Sequence, residues 1–279
     1  MTIDMSTTRT DLALESVQAA CSGAETGTIS GVRSRERTRE GYAVTDIRVE
    51  DEDGAQALGK PVGRYVTVDL GPYFRREADY FDRGVRCLAG ELAALLPEGP
   101  VLAVGLGNRA MTCDAVGPAS IDNLLVTRHM IRAMPRQFAD FRPVAAVCPG
   151  VLARTGLEAL ELVRGAVERV RPAAVIAVDA LAARDSARLC ATVQLSDTGL
   201  VPGSGVGNRR SALDRGTLGV PVIAVGIPTV VDADPRAGLF LTPRDIDQRI
   251  RELGRLLGYG ITLALQPSLT AADVTALLG

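Results

Sequence analysis

Tryptophan is absent from the 279 residues, and histidine and lysine occur once each, as His129 and Lys60. Acid/base groups other than carboxylates are therefore nearly missing. The five cysteines, Cys21, Cys87, Cys113, Cys148 and Cys190, are odd in number, and no two are spaced like a zinc or redox pair. Such scatter fits a reducing cytoplasm. No apolar run reaches the length of a membrane span. Met1 to Glu15 has no apolar core of the kind a secretory signal needs. A formal net charge of −2 points away from nucleic acid and from anionic membranes as partners. Thirty of the 31 basic residues are arginine, yet none forms a basic tract. The densest run, Arg33 to Glu40, is interrupted by acids and reads as a solvated surface segment.

What remains is a chain 47% apolar and 23% charged, the balance of a soluble globular protein. Met1 to about Arg39 is polar, and its beginning is expected to be mobile. Tyr42–Val49 and Arg64–Leu70 read as strands, separated by turn-prone segments. Ala78–Leu96 reads as an amphipathic helix. From Pro100 onward, apolar strands (101–105, 144–147, 173–178, 191–195, 220–225) alternate with helical stretches (120–134, 156–170, 242–265). For the last helix Thr242 is the expected N-cap, with Pro243 at the first helical position. This alternation predicts an α/β fold, a three-layer α/β/α sandwich around a mostly parallel or mixed sheet, in a single domain.

Two acids stand out. Val104-Gly105-Leu106-Gly107-Asn108 leads to Cys113-Asp114, and Ala174 to Val178 leads to Asp179, sixty-five residues later. Both lie at or beyond the end of a buried parallel strand, where sites gather in open α/β sheets. An isolated Asp114 reads first as a helix cap. Asp179 at the tip of a buried strand is costly unless paired. Asp197-Thr198-Gly199 spells the aspartic-protease triplet, but that class is all-β and a turn explains the letters. Gly203-Ser204-Gly205-Val206-Gly207-Asn208 lacks the residues of a nucleotide loop and reads as a backbone loop shaping a cleft. Cys113 and His129 could form a nucleophilic pair, but a loop filler and a helix-surface histidine are the simpler readings. Lys60, in a Gly-Lys-Pro turn, reads as surface.

The blocks Arg9–Glu15, Gly59-Lys60-Pro61, Val104–Pro118, Pro149-Gly150-Val151, Val175–Arg184, Ser196–Asn208 and Gly219–Ala233 resemble, nearly end to end, the spore germination protease family, atypical aspartic endopeptidases. The resemblance implies a fold shared with hydrogenase-maturation endopeptidases. It implies digestion of the small acid-soluble proteins that coat spore DNA, in the cytoplasm of the spore core. It implies no cofactor, a homotetramer, and a zymogen that trims itself. Asp114 and Asp179 match the family's essential acids. Thr10-Asp11-Leu12-Ala13-Leu14-Glu15 imitates the substrate, so cleavage between Asp11 and Leu12 is expected, with residues 1–11 as propeptide and 12–279 as the peptidase domain. Backbone N–H groups around Gly105, Gly107 and Asn108, or Gly203, Gly205, Gly207 and Asn208, are candidate oxyanion donors. The chain departs from the family in a short stretch from Ala233 to Leu241. Two other readings stand beside this one: a metal-assisted peptidase with both Asp residues as ligands, and a non-catalytic binding protein using the same cleft.

Overall fold

The computed structural model describes residues 10–22, 29–204, 207, 210–234 and 238–278. Among these, nine strands form one mixed sheet: β1 Val32–Arg39, β2 Tyr42–Val49, β3 Gly63–Asp69, β4 Val101–Gly105, β5 Val144–Val147, β6 Ala174–Ala183, β7 Thr192–Ser196, β8 Val222–Asp234 and β9 Leu239–Leu241. The order is β1-β2-β3-β7-β8-β6-β4-β5, with β9 paired to β8. The β8-β6-β4-β5 half is parallel, and β1, β2, β3, β7 and β9 are joined antiparallel. The helices are α1 Ala13–Ser22, α2 Glu52–Leu58, α3 Gly71–Phe74, α4 Tyr80–Ala93, α5 Val116–Asp122, α6 Arg128–Ala133, α7 Leu152–Thr155, α8 Ala159–Val170, α9 Arg215–Leu218, α10 Ile246–Leu265 and α11 Ala271–Leu278.

Alternation along the strands separates two faces. Val66, Val68, Ala103, Ile176, Val178 and Val225 point into one large core with Val85 and Leu88 of α4 and Leu253 and Leu257 of α10. The other face is covered at its two ends only. Leu102, Val104, Val175 and Ala177 pack under Val163 and Val167 of α8. Ile47, Val49 and Tyr65 pack under Ala13 of α1 and Leu58 of α2. Between these two caps the sheet carries one row of facing residues, Thr67, Gln194, Gly226 and Asp179, on β3, β7, β8 and β6. This is the three-layer mixed α/β arrangement the alternation predicts, with a gap in its second helical layer.

Several local expectations give way. Thr242 does not cap α10. Its hydroxyl donates to the Thr229 carbonyl at 2.8 Å, and β9 occupies the residues just before it. The helix therefore starts four residues later, after a turn closed by Ile246 N–H on the Pro243 carbonyl. The 120–134 stretch is two short helices, because Leu125 and Thr127 are drawn aside to Thr262 and to the strand at Val144. The acidic 51–54 segment forms α2, with the Asp51 carboxylate capping Gly54 N–H at 2.9 Å. Residues 10–22 are not loose. Leu12 and Ala13 are fully buried.

Candidate active site

Asp179 lies within β6, where it faces Gly226 across the parallel pair. It is 5% exposed, and its Oδ1 accepts the Ala180 N–H at 3.0 Å. Asp114 ends a 3₁₀ turn, Thr112–Asp114, between β4 and α5. The turn is pinned by Thr229, whose hydroxyl donates to the Cys113 carbonyl at 2.6 Å. Asn108 N–H donates to Asp114 twice, to its backbone oxygen and to Oδ2, each at 2.9 Å. Gly107 makes this approach possible. Its φ is +110°, and a Cβ there would collide with the Asp114 carbonyl oxygen.

The two acids titrate differently. Burial raises Asp114 above the ordinary carboxylate range, while the Asn108 N–H favours its charged form. Asp179 is raised well above that range, first by burial, then by the neighbouring Asp114 charge, with a smaller push from Asp11. The Ala180 N–H opposes the rise without cancelling it. An acid that holds its proton thus sits within electrostatic reach of one that more readily gives it up.

Asp114 and Asp179 line a cavity of about 970 Å³, and Thr10 and Asp11 share its wall. The segment that imitates a substrate is docked there by hydrogen bonds. Asp11 N–H donates to the Ala182 carbonyl at 2.9 Å. The Asp11 carboxylate accepts Ala182 N–H and the Ser204 hydroxyl, both at 2.9 Å. Leu12 packs against Leu181, Ala183, Leu189 and Val231. Ala13 N–H donates to Gln194 Oε1 at 2.7 Å. Glu15, 4% exposed, accepts Arg184 N–H at 2.7 Å and Asp185 N–H at 2.9 Å, along with the Thr10 hydroxyl. Each letter of the Asp-Leu-Ala-x-Glu signature thus has its own receptor in the fold.

Gly107, Asn108 and Gly203 also line the cavity, while Gly105 closes β4 behind them. Asn108 N–H is committed to Asp114, Leu106 N–H to the Val178 carbonyl, and Gly207 N–H to the Ser204 carbonyl. Gly205 and Asn208 lie outside the described residues. Asp197 accepts Arg64 N–H at 2.8 Å as a turn residue. His129 is exposed on α6. Lys60 departs from its expected surface role. It is half-buried in the cavity wall, and its Nζ donates to the Thr10 and Asp11 carbonyls at 3.2 and 3.0 Å. Gln194 drew no attention in the sequence. Only pairing across three strands brings it into the Asp179 row. Among the described residues, no three His, Cys, Asp or Glu side chains gather as a metal-ligand set.

A germination protease family model matches residues 9–237. The chain is 40% identical to a germination protease of Caldanaerobacter subterraneus, covering 97% of this chain and 98% of the relative. That alignment spans 320 positions, so the relative carries stretches this chain lacks. A germination protease of Clostridium perfringens is 36% identical, again covering 97% of this chain and 98% of the relative. A [NiFe] hydrogenase maturation protease from Thermococcus kodakarensis superposes with a TM-score of 0.40 at 17% identity, over 61% of this chain and 98% of its own, a likeness too slight to argue from. On the sequence matches, which run through both acids and the docked segment, the chain belongs to the germination protease family and is a peptidase.

Proposed function

We propose that this peptidase cuts with the Asp114–Asp179 pair, that its substrates are small acid-soluble spore proteins of the spore core, and that it is made as a zymogen cutting itself between Asp11 and Leu12. The observation that carries the reading is the docking of Thr10 to Glu15 in the cavity that holds both acids. Residues 1–11 are then the propeptide and 12–279 the peptidase. Assembly as a homotetramer belongs to the same reading.

The roles of the acids follow from their surroundings. Asp179, the more buried and next to a like charge, starts protonated. Asp114, favoured as an anion by Asn108 N–H, takes a proton from the attacking water. Asp179 gives its proton to the leaving nitrogen, and the pair exchanges roles for the next turnover.

The test is N-terminal sequencing of the full chain after incubation at mildly acidic pH, together with mass spectrometry of fragments from a small acid-soluble spore protein. A new terminus at Leu12 is expected, and fragments cut after an acidic residue. Asp114→Asn and Asp179→Asn should each slow self-cleavage by about 100-fold or more, since each keeps shape but loses the titrating proton. If either variant cuts within about tenfold of wild type, roughly 1.4 kcal/mol of barrier, the two-acid mechanism is wrong.

A further inference from the structure

The carbonyl of the bond expected to break is held by two side chains rather than by loop amides. The Asp11 carbonyl oxygen accepts Lys60 Nζ at 3.0 Å and Gln194 Nε2 at 3.1 Å. Both donors line the cavity with Asp114 and Asp179. We infer that Lys60 and Gln194 are catalytic residues that stabilise the negative charge forming on this oxygen during cleavage. The inference rests on the proposed cleavage between Asp11 and Leu12.

The fold aims both donors. Gln194 is 8% exposed on β7, in register with Gly226 and, one strand further, with Asp179. Two strand spacings separate Gln194 and Asp179, about 10 Å between Cα atoms. Gly226 places no Cβ between them, and a Cβ there would press on the Leu181 side chain at 2.5 Å. A bound peptide therefore meets Gln194 on one side and Asp179 on the other. Lys60 follows α2, whose C-cap Gly59 is left-handed at φ 61°. Lys60 N–H returns to the Ala55 carbonyl at 3.2 Å, which fixes the backbone from which the side chain reaches the cleft.

The loop amides are poor competitors for this task, since those of Leu106, Asn108 and Gly207 are spent on backbone or Asp114. A simple latch would hold the segment anywhere along its length. Here a cation and an amide converge on one oxygen. Gln194 also grips the far side of the same bond, its Oε1 accepting Ala13 N–H at 2.7 Å. Donors fixed in place in a water-poor site gain strength as the oxygen becomes an anion.

The step balances without further reagents. Water oxygen bonds to the Asp11 carbonyl carbon and its proton passes to ionised Asp114. The carbonyl electron pair moves onto the oxygen held by Lys60 and Gln194. On collapse the carbon–nitrogen bond breaks, and the Leu12 nitrogen takes the Asp179 proton. The products are an Asp11 carboxylate and a free Leu12 amine.

The experiment follows first-order self-cleavage of the full chain by mass spectrometry, with amide hydrogen exchange at Ala13 reporting docking. Gln194→Glu keeps size and the acceptor for Ala13 but loses the donor. Lys60→Met loses the charge and the donor, and Lys60→Arg restores both. Expected are slowing by about 100-fold for Gln194→Glu and for Lys60→Met, recovery to within about tenfold for Lys60→Arg, and unchanged Ala13 protection in Gln194→Glu. Cleavage within about threefold of wild type in Gln194→Glu would overturn the inference. So would loss of Ala13 protection in parallel with loss of cleavage, because the residues would then only hold the segment. Should Lys60→Met melt early, the isosteric Gln194→Glu decides alone. If wild type gains no terminus at Leu12, the underlying proposal of self-cleavage fails instead, and the two failures are told apart.

Discussion

Asp179 is nearly enclosed, accepts one hydrogen bond, from Ala180 N–H, and faces a second acid. Its folded-state pKa lies well above the ordinary value of 3.8. Between that ordinary value and the raised one, the folded protein binds a proton that the unfolded chain has released. Stability attributable to this group is thus fully present below about pH 3.8 and is lost as pH rises through the raised pKa. Asp179→Asn removes the charge yet keeps an oxygen for Ala180 N–H. The variant should melt at least about 2 °C higher than wild type at pH 7, with the gap closing toward pH 4, while self-cleavage disappears. A melting series across pH checks this, and equal Tm values at pH 7 would mean the carboxylate carries no penalty. Such a gain in stability with loss of function is common where a site is built from groups the fold would not otherwise bury. The position of Asp179 at the end of an apolar strand made it legible in the sequence. Lys60 was not, because the letters Gly-Lys-Pro describe a turn correctly but say nothing of the cavity the turn faces.

Among the elements, α1 and the three residues before it were the least legible. Their order comes from partners far away in the chain: Ala182, Gln194, Ser204, Arg184 and Asp185. Local composition cannot report bonds across 170 residues or more. Only the likeness of Thr10 to Glu15 to a substrate signalled that the segment has a place to go. Glu15 anchors it, since its buried carboxylate accepts two backbone N–H groups. Hydrogen bonds to a charged group contribute about 1.5–3 kcal/mol each. Glu15→Ala should therefore release the segment, raise hydrogen exchange at Ala13 by at least tenfold, or about 1.4 kcal/mol of local opening, and slow self-cleavage in proportion. Loss of docking with loss of cleavage is the opposite pattern to that expected of Gln194→Glu. An Ala13 amide that stays protected in Glu15→Ala would mean that Leu12 burial alone holds α1. The misplaced start of α10 has the same origin. Thr242 and Pro243 form a proper cap signal, but the Thr229 carbonyl on β8 captures the hydroxyl first.

For the whole molecule, the alternation of apolar strands and amphipathic helices from residue 100 onward was enough to read the layers, because parallel strands are apolar on both faces. The antiparallel half was harder to place, since β3 joins β7 across more than a hundred intervening residues. The shortened 233–241 region becomes a hairpin, with Val231 opposite Leu241 and Asp232 opposite Phe240. Its second strand, Leu239-Phe240-Leu241, is 59%, 40% and 54% exposed along its length. Three consecutive exposed apolar residues on a strand at the margin of a sheet are a liability unless another surface covers them. A second copy of the chain is the occupant that the proposed homotetramer supplies, and Phe240 also lines the cavity, so assembly there would border the cleft. Wild-type protein should scatter light as four copies of a 29.3 kDa chain. The double variant Leu239→Lys and Leu241→Lys should scatter as a smaller species, with its melting temperature at low concentration within about 2 °C of wild type. Wild type at the mass of a single chain would end the tetramer proposal. A double variant that stays at four copies would move the contact away from β9 and leave the exposed strand without a partner.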